Sequence, residues 1–194
     1  MLPAVTGAET DNRSSEALAQ AVQQGDKTAL RALVTRHHAP LLGFLYRLTG
    51  GDRPLAEDLT QETMVRLLRG IGAYDSQRPF KPWLYQISVN LVRDHYKLAE
   101  MRHTGSDNGE IRLIAAPERP ETAVIQQQTI QATVTAVAHL PLHQRETLLL
   151  RYAEELSLAE IADILNIPVG TVKSRLSLAL KRLREEMTET WSEP

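Results

Sequence analysis

Cysteine is absent from the 194 residues, which excludes disulfides and thiolate metal sites and is compatible with a reducing cytosol. Long apolar runs are absent too. No stretch approaches the roughly 20 residues that a bilayer-spanning helix needs, so no membrane insertion is expected. The opening MLPAVTGAETD lacks a basic segment followed by an apolar one and is not expected to act as a signal peptide. Charge of one sign is not in excess: the formal net charge is −2, so the whole chain has no long-range attraction for nucleic acid. Any such binding must come from local patches. There is no glycine-rich phosphate loop, no nucleophile–base pairing, no internal repeat and no low-complexity segment. His139 and His143 are four positions apart, but Pro141 interrupts them and no third ligand accompanies them; the adjacent His37 and His38 would point apart on a helix. Neither a metal site nor a cofactor is expected.

What is present is helical periodicity over a hydrophobic fraction of 42%, with almost no strand-like alternation. Residues 14–36 and 39–49 read as two helices broken near Gly25-Asp26 and at Pro40. Another runs from Pro54 to Arg69, with Asp52 as N-cap, and ends at Gly70 and Gly72. After the turn-like AYDSQRP, Phe80 to about His103 resumes the pattern. Residues 104–119, TGSDNGEIRLIAAPER, read as a flexible linker. Pro120 to Ala138 is helical, Pro141 introduces the next helix, and a helical pair closes the chain. The expected fold is all-α: a disordered start over 1–13, one helical domain over 14–103, the linker, and a second helical domain over 120–188.

The closing pair carries the most local information. Ser157 and Glu160 form an S-x-x-E capping box, followed by the apolar Ile161, Ile164 and Leu165 and the small Ala162. NIP breaks that helix, and Pro168 suits the first turn of the next. On a helical wheel Val169, Val172, Leu176, Ala179, Leu180, Leu183 and Met187 share one stripe. Thr171, Ser174, Arg175, Lys181 and Arg182 lie on or beside the opposite face, flanked by Lys173 and Arg184. Five basic residues and no acid fall between Pro168 and Arg184. Two short helices with a tight turn, the second basic, describe a helix-turn-helix whose residues Thr171 to Arg175 would enter the major groove of DNA.

The first domain has a different signature. Of nine aromatic residues, five fall between Tyr74 and Tyr96: Tyr74, Phe80, Trp83, Tyr85 and Tyr96. Arg78, Lys81, Arg93 and Lys97 are interleaved with them. Rings offer stacking faces to bases and cations offer charge to phosphates, the combination that single-stranded DNA capture uses. Trp83, Ile87 and Leu91, at helical spacing, read as core; Tyr74, in the turn, fits a core role less well.

AEDLTQETMVRLLR (56–69), FKPWLYQISVNLVRDHYK (80–97) and LPLHQRETLLLRYAEELSLAEIADILNIPVGTVKSRL (140–176) together resemble a bacterial sigma factor of the small extracytoplasmic-function (ECF) type, over residues from about 15 to 187. The resemblance implies a non-enzymatic, cytoplasmic promoter-specificity subunit. It would bind core RNA polymerase at a coiled coil of the largest subunit and at the flap, direct it to promoters and help melt them. It further implies an anti-sigma protein as inhibitor.

By the same resemblance, Asp58, Gln61 and Glu62 would face the polymerase, while Leu59 and Val65 hold their helix to its own domain. Asn90 would line the pocket for a flipped-out base, its amide offering both a donor and an acceptor. Tyr74 stands where relatives often have phenylalanine, in a loop to Pro79 that corresponds to the family's variable specificity loop. Arg93, Lys97 and Arg102 would meet backbone phosphates of the melted downstream element. The linker acids Asp107, Glu110 and Glu118 would suit a basic channel of the polymerase. Thr171, Lys173, Ser174, Arg175, Ser177 and Leu178 would read the upstream duplex element. Where relatives commonly carry arginines, this chain has Leu178 and Leu180. Leu180 borders the apolar stripe, whereas Leu178 falls on the polar face, where it would touch a thymine methyl or a protein partner. The reading from another class is a stand-alone helix-turn-helix regulator with an N-terminal sensing domain.

Overall fold

A computed structural model describes residues 11–103 and 134–190, with the side chains of 100, 102, 103 and 187–190 left aside. Among the described residues the secondary structure is helical throughout, without a strand. Residues 107, 110, 118 and the rest of the expected linker lie outside them.

Local signals set most boundaries. Ser14 caps α1 (Ser15–Gln23) by accepting from the Ala17 amide. Asp26 caps α2 (Lys27–Leu48), accepting from Thr28 and Ala29 at 2.8 and 3.0 Å. Asp52 caps α3 (Arg53–Gly70) through Leu55, with Pro54 in the first turn. A 3-10 turn, Ile71–Ala73, leads by a short loop to α4 (Phe80–His103). The expected break at Pro40 does not occur, and α2 runs through it. Proline there forfeits one backbone bond. On either side of it, however, Leu33, Leu41, Phe44, Leu45 and Leu48 are fully buried, and each such side chain contributes about 1.5–3 kcal/mol by leaving water. Packing outweighs the local breaker. Nor are residues 11–13 loose: Arg13 pairs with Asp11 at 2.7 Å, and Arg36 donates to the carbonyls of Asp11 and Arg13.

The described part of the second unit opens with a helical segment over 134–138, the rest of the helix expected from Pro120 to Ala138 lying outside the described residues; α5 (Leu142–Tyr152), α6 (Leu158–Leu165) and α7 (Val169–Thr190) follow. The capping box is present: Ser157 accepts from the Glu160 amide, and Glu160 accepts from the Ser157 amide. Asn166 ends α6 in the left-handed region at φ 52°, which an asparagine tolerates better than most residues. Ile161, Ala162, Ile164 and Leu165 of α6 meet Val172, Leu176 and Ala179 of α7, giving a helix-turn-helix.

Within the described residues the two units are in contact. α4 packs on α6, α2 packs on α5, and the buried apolar residues of both form one continuous core. Gly50, at φ +73°, permits this approach: a Cβ there would sit 3.3 Å from the Ala138 Cβ. The buried Arg145 crosses the junction, donating to Leu48 O at 2.9 Å, to Leu140 O at 3.0 Å and to Ala138 O. Its cation therefore lies at the C-terminus of α2, where the helix dipole is negative.

Candidate nucleic-acid interface

On α7, Lys173, Ser174, Ser177 and Leu178 are exposed and Thr171 is half-buried. Ser174 Oγ donates back to Thr171 O at 3.0 Å, a common resting state for a helical serine facing solvent. Leu178 stays in water at 50% exposure, as its place on the polar face requires. Two wheel assignments change. Val169 lies in the exposed first turn at 39% exposure, not on the buried stripe. Arg175, placed with the outward face, folds inward to Glu146 at 3.3 Å, its side chain 22% exposed. Leu180 and Leu183 pack against the core, while the Met187 side chain lies outside the described residues.

On the first unit, Asn90 and Lys97 project from the exposed face of α4, with the acid Asp94 between them. Arg102 lies in the last turn of α4, its side chain outside the described residues. Tyr74 is not a free ring but core, at 6% exposure. It lies 4.8 Å from Trp83 and edge-on to Phe80 at 5.5 Å, and its hydroxyl donates to the Arg78 carbonyl. Burial, reinforced by Glu16 and Asp75, pushes that hydroxyl up to about 12. The loop it anchors is pinned at both ends: Gln23 donates to Ile71 O and Tyr74 O, and Glu16 accepts from the Phe80 amide at 2.9 Å. That last bond, ahead of smaller contributions, holds the Glu16 carboxyl below its usual range. Of the three expected core residues of α4, Leu91 is buried while Trp83 and Ile87 are half-buried against the core; Phe80, Leu84, Tyr85, Ser88, Val89 and Val92 are the other deep positions.

On α3, Leu59 is buried, whereas Asp58, Gln61, Val65 and Leu68 are exposed along one side. Val65, expected to hold the helix to its domain, instead extends this stripe at 37% exposure, since Met64 and Leu67 fill the core positions. Glu62 sits half-buried beside the stripe and accepts from Arg66 at 3.0 Å.

The feature that sequence reasoning missed is the polar seam between the units. Arg93 makes a forked pair with Glu146 at 2.9 and 2.5 Å, and its third nitrogen reaches Leu165 O at 3.4 Å. Glu154 accepts from the Tyr85 hydroxyl at 2.5 Å, with Lys81 and Arg47 at 3.3 and 3.6 Å. Burial, with Glu154 beside it, pushes the Tyr85 hydroxyl far up. Gln144, Arg145, Glu146 and Thr147, four polar residues in succession, are all buried. A helix covered on one side leaves some of four neighbours in water. α5 buries all four because α7 covers one side and the first unit the other.

Two family models match the chain: Sigma-70 region 2 over residues 33–100, and Sigma-70, region 4 over residues 130–183. The ECF RNA polymerase sigma factor SigW of Bacillus subtilis is 33% identical over 176 residues, spanning 87% of this chain and 94% of the relative. The RNA polymerase sigma-H factor of Pseudomonas aeruginosa is 33% identical over 169 residues, spanning 82% and 86% respectively. Among solved structures, CnrH in complex with the cytosolic domain of CnrY shares the fold at a TM-score of 0.69. That match has 22% identity and covers 91% of this chain and 99% of that one.

Proposed function

This chain belongs to the ECF group of the sigma-70 family of RNA polymerase sigma factors, and from that membership we propose how its surfaces divide the work. As a sigma factor it joins core RNA polymerase and directs it to promoters. The second unit reads the upstream duplex element with Lys173, Ser174, Ser177 and Leu178, which the helix-turn-helix leaves in solvent, and with Thr171 and Arg175 beside them. The first unit holds the melted downstream strand with Asn90, Lys97 and Arg102, with Arg93 once it leaves Glu146, and with Tyr74 should its cluster open. Asp58, Gln61 and Glu62 dock on the largest-subunit coiled coil, and the exposed Val65 and Leu68 give that contact an apolar part.

The observation carrying this reading is the outward row Lys173-Ser174-Ser177-Leu178 behind an intact capped turn. No catalytic group is assigned to the chain, since bond-making resides in the polymerase. No helix among the described residues is long and apolar enough to cross a membrane. Work on the chromosome places the chain in the cytoplasm. An anti-sigma protein is the inhibitor: the sigma factor RpoE of Bartonella quintana, which shares the fold at a TM-score of 0.60, was solved in complex with the anti-sigma factor NepR, and a closed pair of units is a state such a partner would hold.

Transcription reconstituted with core polymerase on the chain's promoter tests the division. Lys173→Ala weakens promoter binding and lowers its salt slope by about 1, the signature of one lost phosphate contact. Asn90→Ala slows opening of duplex promoters and spares pre-melted templates. Equal loss on both templates would remove Asn90 from strand capture.

A further inference from the structure

Glu146 is almost fully buried and faces two cations at once, Arg93 of α4 and Arg175 of α7. The first pair joins the two units and the second lies within the second unit. Both arginines are assigned above to DNA, one to the melted strand and one to the duplex, so the inference rests on that reading. A carboxylate offers an arginine the same planar pair of oxygens as a phosphate. Glu146 holds the Arg93 fork with both oxygens and one Arg175 nitrogen at 3.3 Å, and the donors so held are withheld from a phosphate.

We propose that Glu146 is a shared counter-ion: in the closed chain one carboxylate occupies both DNA-contacting arginines, so a single acid holds back both promoter sites. Arg93 brings the first unit to the carboxylate, and its further bond to Leu165 O ties it to the end of α6. Lys81, held by the carboxylate and carbonyl of Glu154, closes the same seam nearby. The closed chain thus carries its own acidic substitute for DNA, and binding either nucleic-acid form first requires these pairs to part. Because the arginines share one acid, withdrawing Arg93 leaves Arg175 still held. Only loss of the carboxylate frees both.

The chain has no cysteine, so labels at Arg53→Cys and Glu185→Cys, both exposed and one in each unit, report separation of the units by energy transfer. Binding of the free, full-length chain is measured to a mixed-sequence duplex of 20 base pairs and to oligo-dT of 12 nucleotides. Glu146→Gln is expected to lengthen the label distance and raise affinity for both probes about tenfold, within the range of ordinary coupling between sites. Arg93→Gln, at a half-exposed position, is expected to lengthen the distance equally while duplex affinity stays at the starting value. Equal gains in duplex affinity from both variants would overturn the shared counter-ion, leaving closure alone as the inhibitor. So would Glu146→Gln with unchanged distance and unchanged binding. If the duplex gain survives in Glu146→Gln/Arg175→Ala, Arg175 is no DNA contact and the functional reading fails at that residue. The label distance then still reports whether the seam opened.

Discussion

His37 shows how one side chain acquires a pH signature from its surroundings. Its ring packs 5.0 Å from Phe80, its Nε2 lies 2.8 Å from Ser15 Oγ, and burial, ahead of the nearby Arg36 and Lys81, pulls its pKa down to about 4. The unfolded chain takes up that proton near 6.5, so between about pH 6.5 and 4 the unfolded state binds more protons. Stability from this group is therefore full above about pH 6.5 and is lost as pH falls, by up to about 3 kcal/mol. Glu16 acts with the same sign, but below the ordinary carboxylate range, and can be kept out of the measurement. Burial lowers His143 as well, so urea unfolding between about pH 5 and 6.5 should show a slope to which His37 contributes up to about 1.4 kcal/mol per pH unit, and His37→Gln should reduce the slope by that part. A slope unchanged by the substitution would mean that the ring already carries its proton in the fold. Tyr74 belongs to the same cluster, which explains why the sequence misplaced it. A tyrosine in a turn has no helical periodicity to reveal that Trp83 and Phe80 enclose it.

At the level of elements, what the sequence reveals depends on whether the cause is local. Asp52 and the Ser157–Glu160 box announce helix starts because each cap satisfies an amide three residues away, and the break read near Gly25-Asp26 is where Asp26 caps α2. Pro40 misleads because the forces that carry α2 through it come from residues distant in sequence. The outward row on α7 is legible from periodicity, yet Arg175 is not. Its wheel position is polar, and only the fold shows Glu146 waiting on the neighbouring helix. The capping box gives the prediction at this scale. Ser157→Ala removes the acceptor for the Glu160 amide, 3.2 Å away, and should cost about 1 kcal/mol in chemical denaturation. Because α6 backs α7, the proposed recognition helix, the variant should also bind promoter DNA more weakly in the polymerase complex, whereas Ser157→Asp, which caps as well, should restore both. Failure of the aspartate to rescue would assign the loss to the hydroxyl's other bond, to the Glu160 carboxylate at 2.6 Å.

For the whole molecule, one continuous core and a polar seam make two units fold as one body. On the proposed division of two separated promoter elements between the units, a chain closed in this way must separate its units to serve both. The free energy that holds the seam is then subtracted from binding to polymerase and DNA. Tyr85 isolates this trade. Its hydroxyl gives Glu154 a 2.5 Å bond, and Glu154 has little solvent to replace it, so Tyr85→Phe should lower the stability of the free chain by about 1–3 kcal/mol. The ring stays, and with it the edge contact to Phe44 at 4.9 Å, so the first unit keeps its packing. Calorimetry should show one unfolding transition for the original chain and two for the variant, since a weaker seam no longer couples the units. Polymerase affinity should move in the opposite direction and rise, because less closure has to be undone. A variant that lost stability and polymerase affinity together would show that the bound chain keeps the seam, and that closure belongs to the working state.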